Sequence, residues 1–333
     1  MPASTASPTA ANAVDLDALY KSIEEAHSAL RPAVSITPLS YSARLSALTG
    51  CEVLLKCEHL QHTGSFKFRG ASNKVRLLPV DVRKHGVIAA SSGNHGQALA
   101  LAGKTAGVPV TVYTATSASP YKIEAMRTLG AEVLCLPTDP LGAELEAARQ
   151  AEAQGVPFVS PYNDLQVIAG QGTIGMELFE QAPDLDAVFV AVGGGGMIAG
   201  IGAALRRLNP STEIIGCWPA NDPALALSIS AGEIVEVDAQ PTLSDGTAGG
   251  VEPGAITLPL CQALVTDTVL VSEDEIRGAM RVIASSERWI IEGAAAVAVA
   301  GMQKLAERYH GKRVAVILCG RNILLEQFLE AVR

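Results

Sequence analysis

The chain has 333 residues, 48% of them hydrophobic, 18% charged and 4% aromatic, with 31 glycines. That length allows one large α/β unit or two lobes, and the balance is that of a closely packed globular enzyme, which excludes a disordered or fibrous chain. The formal net charge of −9 excludes the basic surface that holding a nucleic-acid backbone requires.

In chain order, residues 1–13 carry neither Lys nor Arg nor an apolar core, so they read as a frayed tail and not as a targeting signal. Asp15 caps a first helix whose apolar residues Leu16, Leu19, Ile23, Ala26 and Leu30 keep the helical period. The run Glu52–Glu58 alternates, with Val53, Leu55 and Cys57 on one face, and predicts a strand. A turn at His62–Ser65 and a helix from about Phe66 follow.

From residue 87 strands and helices alternate: strand Val87–Ala90, helix Asn94–Ala106, strand Val108–Tyr113, helix Pro120–Leu129, strand Val133–Leu136, helix Leu141–Gln154. The alternation resumes with strand Ala187–Val192, a helix through Leu208, strands Glu213–Trp218 and Thr268–Val271, a helix capped by Ser272-x-x-Glu275, and strand Val314–Cys319. Residues 222–267 are richer in loops and contain DGTAGGVEPG. Such order predicts parallel sheets covered by helices on both faces. The most apolar stretch, Trp289–Met302, contains Glu292 and is too short for about 30 Å of hydrocarbon, so it predicts a buried helix and no membrane span.

The six cysteines, Cys51, Cys57, Cys135, Cys217, Cys261 and Cys319, include no C-x-x-C pair. Buried free thiols in a reducing, cytoplasmic setting are expected, with neither zinc knuckle nor redox dithiol.

Three segments carry chemistry. The run VGGGGMIAG (Val192–Gly200) joins a strand to a helix, where free backbone N–H groups at a positive helix end cradle a phosphate. Tight strand–helix packing accounts for one or two of those glycines but not four in a row. Gly194, Gly196 and Ala199 also satisfy a dinucleotide fingerprint, yet Trp218 stands where its ribose-binding carboxylate belongs. In HTGSFKFRGA, Lys67 sits between two aromatics at a helix start, an apolar setting that lowers an amine pKa and suits Schiff-base chemistry. SSGNHGQALA supplies hydroxyls, an amide and N–H groups for a carboxylate or ring oxygen; His95 within it has no acidic partner in sequence and reads as a packed histidine.

Together GSFKFRGA, SSGNHGQALA, VIAGQGT (Val167–Thr173), VGGGGMIAGI and LCGRN (Leu318–Asn322), in this order, resemble the serine/threonine dehydratase family, which includes serine racemase. Those are pyridoxal-phosphate enzymes of the tryptophan-synthase β-subunit fold type. The resemblance implies a two-lobed α/β protein: residues 1–75 and 163–333 form a large cofactor-binding domain, and 76–162 a small substrate-gating domain. It implies that Lys67 carries the cofactor and shuttles the Cα proton, Phe66 packs beside the ring, Asn94 meets the ring hydroxyl, and Gly193, Gly194, Gly195 and Gly196 hold the phosphate. Glu292 matches the family's acidic residue near the cofactor, and Cys319 faces the pyridine nitrogen. Ser91, Ser92, Gly93, Asn94 and His95 are expected around the substrate, with Tyr162 presenting its phenol nearby, and Ser92 as a second acid/base.

A neutral thiol at the pyridine nitrogen favours β-elimination over transamination. The expected reaction is dehydration of a 3-hydroxy amino acid, with racemisation and cysteine-synthase-type β-replacement as the rival chemistries. Metal-activated relatives carry a glutamate where CWPANDP places Trp218, so no metal is expected, although Asp222 is close by. A small-molecule substrate and a homodimer complete the expectation.

Overall fold

A computed structural model describes residues 15–333; the opening segment read as a frayed tail lies outside the described residues. Helix α1 (Leu16–Leu30) begins where Asp15 accepts the N–H groups of Asp17 and Ala18. Strand β1 (Leu39–Tyr41), helix α2 (Ala43–Thr49) and strand β2 (Glu52–Lys56) follow. The strand expected to reach Glu58 stops at Lys56, because residues Glu58–Leu60 turn into a 3-10 helix. Nor does β2 have one buried face: Val53, Leu54, Leu55 and Lys56 are all buried, as in a strand covered on both sides.

Next come α3 (Lys67–Arg76), α4 (Val80–Arg83), β3 (Val87–Ala90), α5 (Asn94–Ala106), β4 (Val110–Ala115), α6 (Pro120–Thr128), β5 (Glu132–Leu136) and α7 (Pro140–Gln154). Their boundaries follow local chemistry: Pro opens α6 and α7, and left-handed Gly107 and Gly155 close α5 and α7. Strands β3, β4 and β5 form a parallel three-stranded sheet in that order.

The remainder comprises α8 (Leu165–Gln181), β6 (Ala187–Ala191), α9 (Gly196–Leu208), β7 (Glu213–Pro219), α10 (Ala224–Ala231), α11 (Thr257–Leu264), β8 (Asp267–Val271), α12 (Glu273–Ser286), α13 (Gly293–Lys304), β9 (Arg313–Ile317) and α14 (Leu325–Ala331). Six strands make the second sheet, in the order β1-β2-β9-β6-β7-β8, parallel except for the antiparallel edge strand β1. The α/β class is therefore as expected, and residues 222–267 are rich in loops as read, with the two short helices α10 and α11 among them. The buried helix expected over Trp289–Met302 begins only at Gly293; Glu292 stands at the N-cap position of α13, and Trp289–Ile291 precede it. The capping box at Ser272 and Glu275 forms as expected.

Helix α13 is apolar all round and buried from Gly293 to Met302, which suits a helix inside the larger core. Among the described residues no helix is long and apolar enough to cross a membrane. All six cysteines are free, and all but the partly exposed Cys135 are buried.

Beneath α3 lies a buried ionic cluster. Arg69 makes paired bonds to Glu58 (2.8 and 2.8 Å) and to Glu177 (2.6 and 2.9 Å). Lys56 donates to the same Glu177 at 2.6 Å, to the Thr37 carbonyl at 2.8 Å and to Gln181 at 2.9 Å. Two cations thus neutralise two carboxylates, the condition under which charges tolerate burial. The cluster binds α3 to α8 and to the end of β2 one turn from Lys67.

Candidate active site

The turn before α3 is unusual: Thr63 takes a positive φ of 61°, a conformation disfavoured for a β-branched residue. It is retained because its carbonyl accepts the Asn322 side chain at 2.8 Å and its neighbours pair with the segment after β9. Ser65 bridges Gly320, and the Phe66 N–H donates to the Cys319 carbonyl at 3.1 Å. Lys67, the first residue of α3, is therefore held against the C-terminal end of β9, where open α/β sheets place their ligands.

The Lys67 amine donates to the Pro161 carbonyl at 3.0 Å and lies 5.2 Å from the centre of the Phe66 ring. Burial pushes its pKa down to about 8, against the opposing pull of Cys319 and Glu292. An amine so placed is available in its neutral, nucleophilic form near neutral pH. The Cys319 thiol is buried, and desolvation together with the Glu292 charge pushes its pKa well up, so it stays protonated.

The glycine run forms the strand-to-helix turn between β6 and α9. Gly195 requires glycine because its φ is +87°. The neighbours require it for space: a Cβ at Gly193 would lie 2.9 Å from the Thr247 carbonyl, one at Gly194 would overlap the Tyr162 ring, and one at Gly196 would meet Tyr162 Cα at 3.0 Å. Close packing thus accounts for more of the glycines than expected. The amide function remains, since the first of this helix's N–H groups to find an acceptor is that of Ala199, which donates to Gly195 at 3.0 Å. The amides before it are left free for an anion at the positive end of a 13-residue helix.

At the start of α5, Ser91 Oγ accepts the N–H groups of Gly93 and Gly96, both at 3.1 Å, which shapes the turn as a cap. Ser92 is exposed. His95 is buried, its Nε2 meets the Val159 carbonyl at 2.8 Å, and burial pushes its pKa down to about 4. It is the packed neutral histidine that its sequence context suggested.

Asn94 and Glu292 are brought together from 198 positions apart: the amide donates to the carboxylate oxygens at 2.9 and 3.1 Å. Asn322 closes a ring, donating its backbone N–H to Glu292 at 3.0 Å and its side chain to Asn94 Oδ1 at 2.5 Å. Gly320 lacks a Cβ where one would overlap the Glu292 carboxylate. The sequence gives no role to Asn322 beyond its place in LCGRN, and none to the Pro161 carbonyl. The Tyr162 ring packs against the glycine run, and its hydroxyl, expected near the substrate, accepts the Glu252 N–H at 3.1 Å.

Trp218 is buried in β7, its indole packed where a Cβ on Gly216 would stand. Asp222 is also buried, and Oδ2 accepts the Gly249 N–H at 2.7 Å. Among the described residues no group of three or more His, Cys, Asp or Glu side chains is placed to hold a metal ion.

The donor set fits pyridoxal phosphate: a neutralisable lysine, free backbone amides at a helix start, and a protonated thiol at the end of β9. Comparison with known proteins agrees. The chain is 44% identical over 303 residues to the L-threonine ammonia-lyase of Thermotoga maritima, covering 90% of this chain and 75% of that one. Among solved structures it resembles the processed threonine deaminase isoform 2 of Solanum lycopersicum, with a TM-score of 0.91, 33% identity and coverage of 96% and 93%. It also resembles the serine racemase of Dictyostelium discoideum, with a TM-score of 0.86, 35% identity and coverage of 92% and 99%. Since the profile of the pyridoxal-phosphate dependent enzymes matches residues 30–320, a span that includes Lys67, the glycine cradle and Cys319, the chain belongs to that family.

Proposed function

We propose that the protein is an ammonia-lyase that dehydrates a 3-hydroxy amino acid, such as threonine, serine or a bulkier analogue like phenylserine, to a 2-oxo acid and ammonia. The observation that carries this reading is the Lys67 amine, set between the Phe66 ring and the Pro161 carbonyl with its pKa pushed down to about 8. Pyridoxal phosphate, when bound, supplies the electron sink that makes the Cα proton acidic.

The rest is the work of the chain. Gly193, Gly194, Gly195 and Gly196 hold the phosphate with backbone amides, and Asn94, oriented by Glu292 and Asn322, meets the ring hydroxyl. Ser91, Ser92, Gly93 and Asn94 bind the substrate carboxylate at the start of α5, beside packed His95. Lys67, as a base near neutral pH, takes the Cα proton. The protonated Cys319 brings no negative charge to the ring nitrogen and gives the negative charge left at Cα little stabilisation there. The electron pair then forms the Cα–Cβ double bond, and the C–O bond breaks as the 3-hydroxyl departs as water with the proton that Lys67 took from Cα. The released enamine tautomerises and hydrolyses to the 2-oxo acid and ammonia.

A second reading, amino-acid racemisation as a side activity, is supported by the exposed Ser92 hydroxyl at the start of α5. The proposal includes a cytoplasmic homodimer with a large domain (1–75 and 163–333) and a small substrate-gating domain (76–162). Six free thiols support the compartment, and the confinement of β3, β4 and β5 to the smaller segment supports the division. Light scattering on the purified protein measures the dimer.

Steady-state assays over a panel of 3-hydroxy amino acids, on wild type and Lys67→Ala, test the reaction. The variant is expected to lose 2-oxo acid formation and borohydride trapping of the cofactor together. Undiminished turnover in Lys67→Ala would falsify the assignment.

A further inference from the structure

The segment Ser160–Asn163 touches three parts of the site at once. Its Pro161 carbonyl accepts the Lys67 amine at 3.0 Å. The Tyr162 ring occupies the space above Gly194, and Tyr162 Cα stands 3.0 Å from where a Cβ on Gly196 would lie. On the far side, Tyr162 Oη accepts the Glu252 N–H at 3.1 Å and Asn163 Oδ1 accepts the Ile256 N–H at 2.9 Å. The segment itself is folded by Ser160 Oγ, which accepts the N–H groups of Tyr162 (3.4 Å) and Asn163 (3.0 Å).

Two glycines of the cradle are therefore glycines because Tyr162 packs on them. We infer that Tyr162 is a positioning residue for the phosphate cradle: its ring presses the Gly193–Gly196 turn into shape, and its hydroxyl, bonded to Glu252 N, keeps the ring there. This rests on the functional reading above and differs from the expectation that the phenol meets the substrate, because the hydroxyl is already committed to the 252–256 segment. Burial pushes the phenol pKa up to about 12, so it remains a neutral hydroxyl across the working range. The role is one of preorganisation: amides already aimed at an anion lose less freedom when it binds.

The test is reconstitution of the apoprotein with pyridoxal phosphate, followed by visible absorbance, for wild type, Tyr162→Phe, Tyr162→Ala, Gly194→Ala and the Tyr162→Ala/Gly194→Ala double variant. Loss of one neutral hydrogen bond in Tyr162→Phe is expected to weaken cofactor affinity roughly three- to tenfold. The effect should fall on the cofactor dissociation constant and not on KM measured at saturating cofactor. Gly194→Ala is expected to weaken binding strongly in wild type and much less in the Tyr162→Ala background, because the clash partner is gone. Unchanged cofactor affinity in Tyr162→Phe, or additive losses in the double variant, overturns this inference alone. A wild-type protein that takes up no pyridoxal phosphate overturns the functional reading and this inference with it.

Discussion

Asn94, at the start of α5, shares its amide N–H between both oxygens of Glu292, at the start of α13, at 2.9 and 3.1 Å. The contact joins the three-stranded-sheet part of the molecule to the six-stranded part through a buried carboxyl. Burial pushes the Glu292 pKa up to about 7; the Asn94 bond opposes that shift and the Asp245 charge adds to it.

A carboxyl whose pKa is raised on folding makes the folded state hold a proton that the unfolded chain has already released. Its contribution is complete below the unfolded value of 4.5 and is lost as pH rises through about 7. Wild type should therefore lose about 3 kcal/mol of stability from this group across that window. Glu292→Gln, which keeps an amide in place of the acid, should flatten the profile. Thermal midpoints of both proteins from pH 4.5 to 8 measure it.

Arg69 is the shared partner of Glu58 and Glu177 in the buried cluster. Arg69→Leu leaves Lys56 as the remaining cation beside two carboxylates and should cost roughly 3–5 kcal/mol. Arg69→Lys should recover only part of this, since an ammonium lacks the fork that meets both carboxylates with paired bonds. Urea denaturation midpoints decide the order of the three proteins.

Exhaustive chelation should leave the dehydration rate nearly intact. A hard divalent cation requires about six oxygen ligands, whereas Trp218 offers none and Asp222 is occupied by the Gly249 N–H. Strong loss of rate restored by magnesium or calcium would contradict this.

Ser92→Ala should retain most dehydration of the L-substrate while exchange between enantiomers and turnover of the D-substrate fall by tenfold or more, a general acid/base being worth about 10²–10⁴ in rate. Chiral chromatography of both reactions separates the outcomes. Equal loss of the two activities would leave Ser92 with carboxylate binding alone and no acid/base role.

The sequence by itself determined whatever depends on neighbours along the chain. Asp15 and Ser272 cap helices by bonding N–H groups two or three residues on, and Gly107 and Gly155 end helices by adopting positive φ. The alternation of strand and helix required parallel sheets, and the motifs around Lys67, Ser91, Gly193 and Cys319 marked the ends of those strands. Only the tertiary structure decided which of these ends meet. Nothing near Asn322 announces that it orients Asn94, nothing near Pro161 that its carbonyl receives the Lys67 amine, and nothing near Tyr162 that Glu252 takes its hydroxyl. The three-residue strand β1 and the eight-residue helices α10 and α11 escape the sequence for another reason, being too short to show a clear period. Hydrogen-bond and packing partners distant in sequence carry no local pattern, so only the assembled structure shows which of them pair.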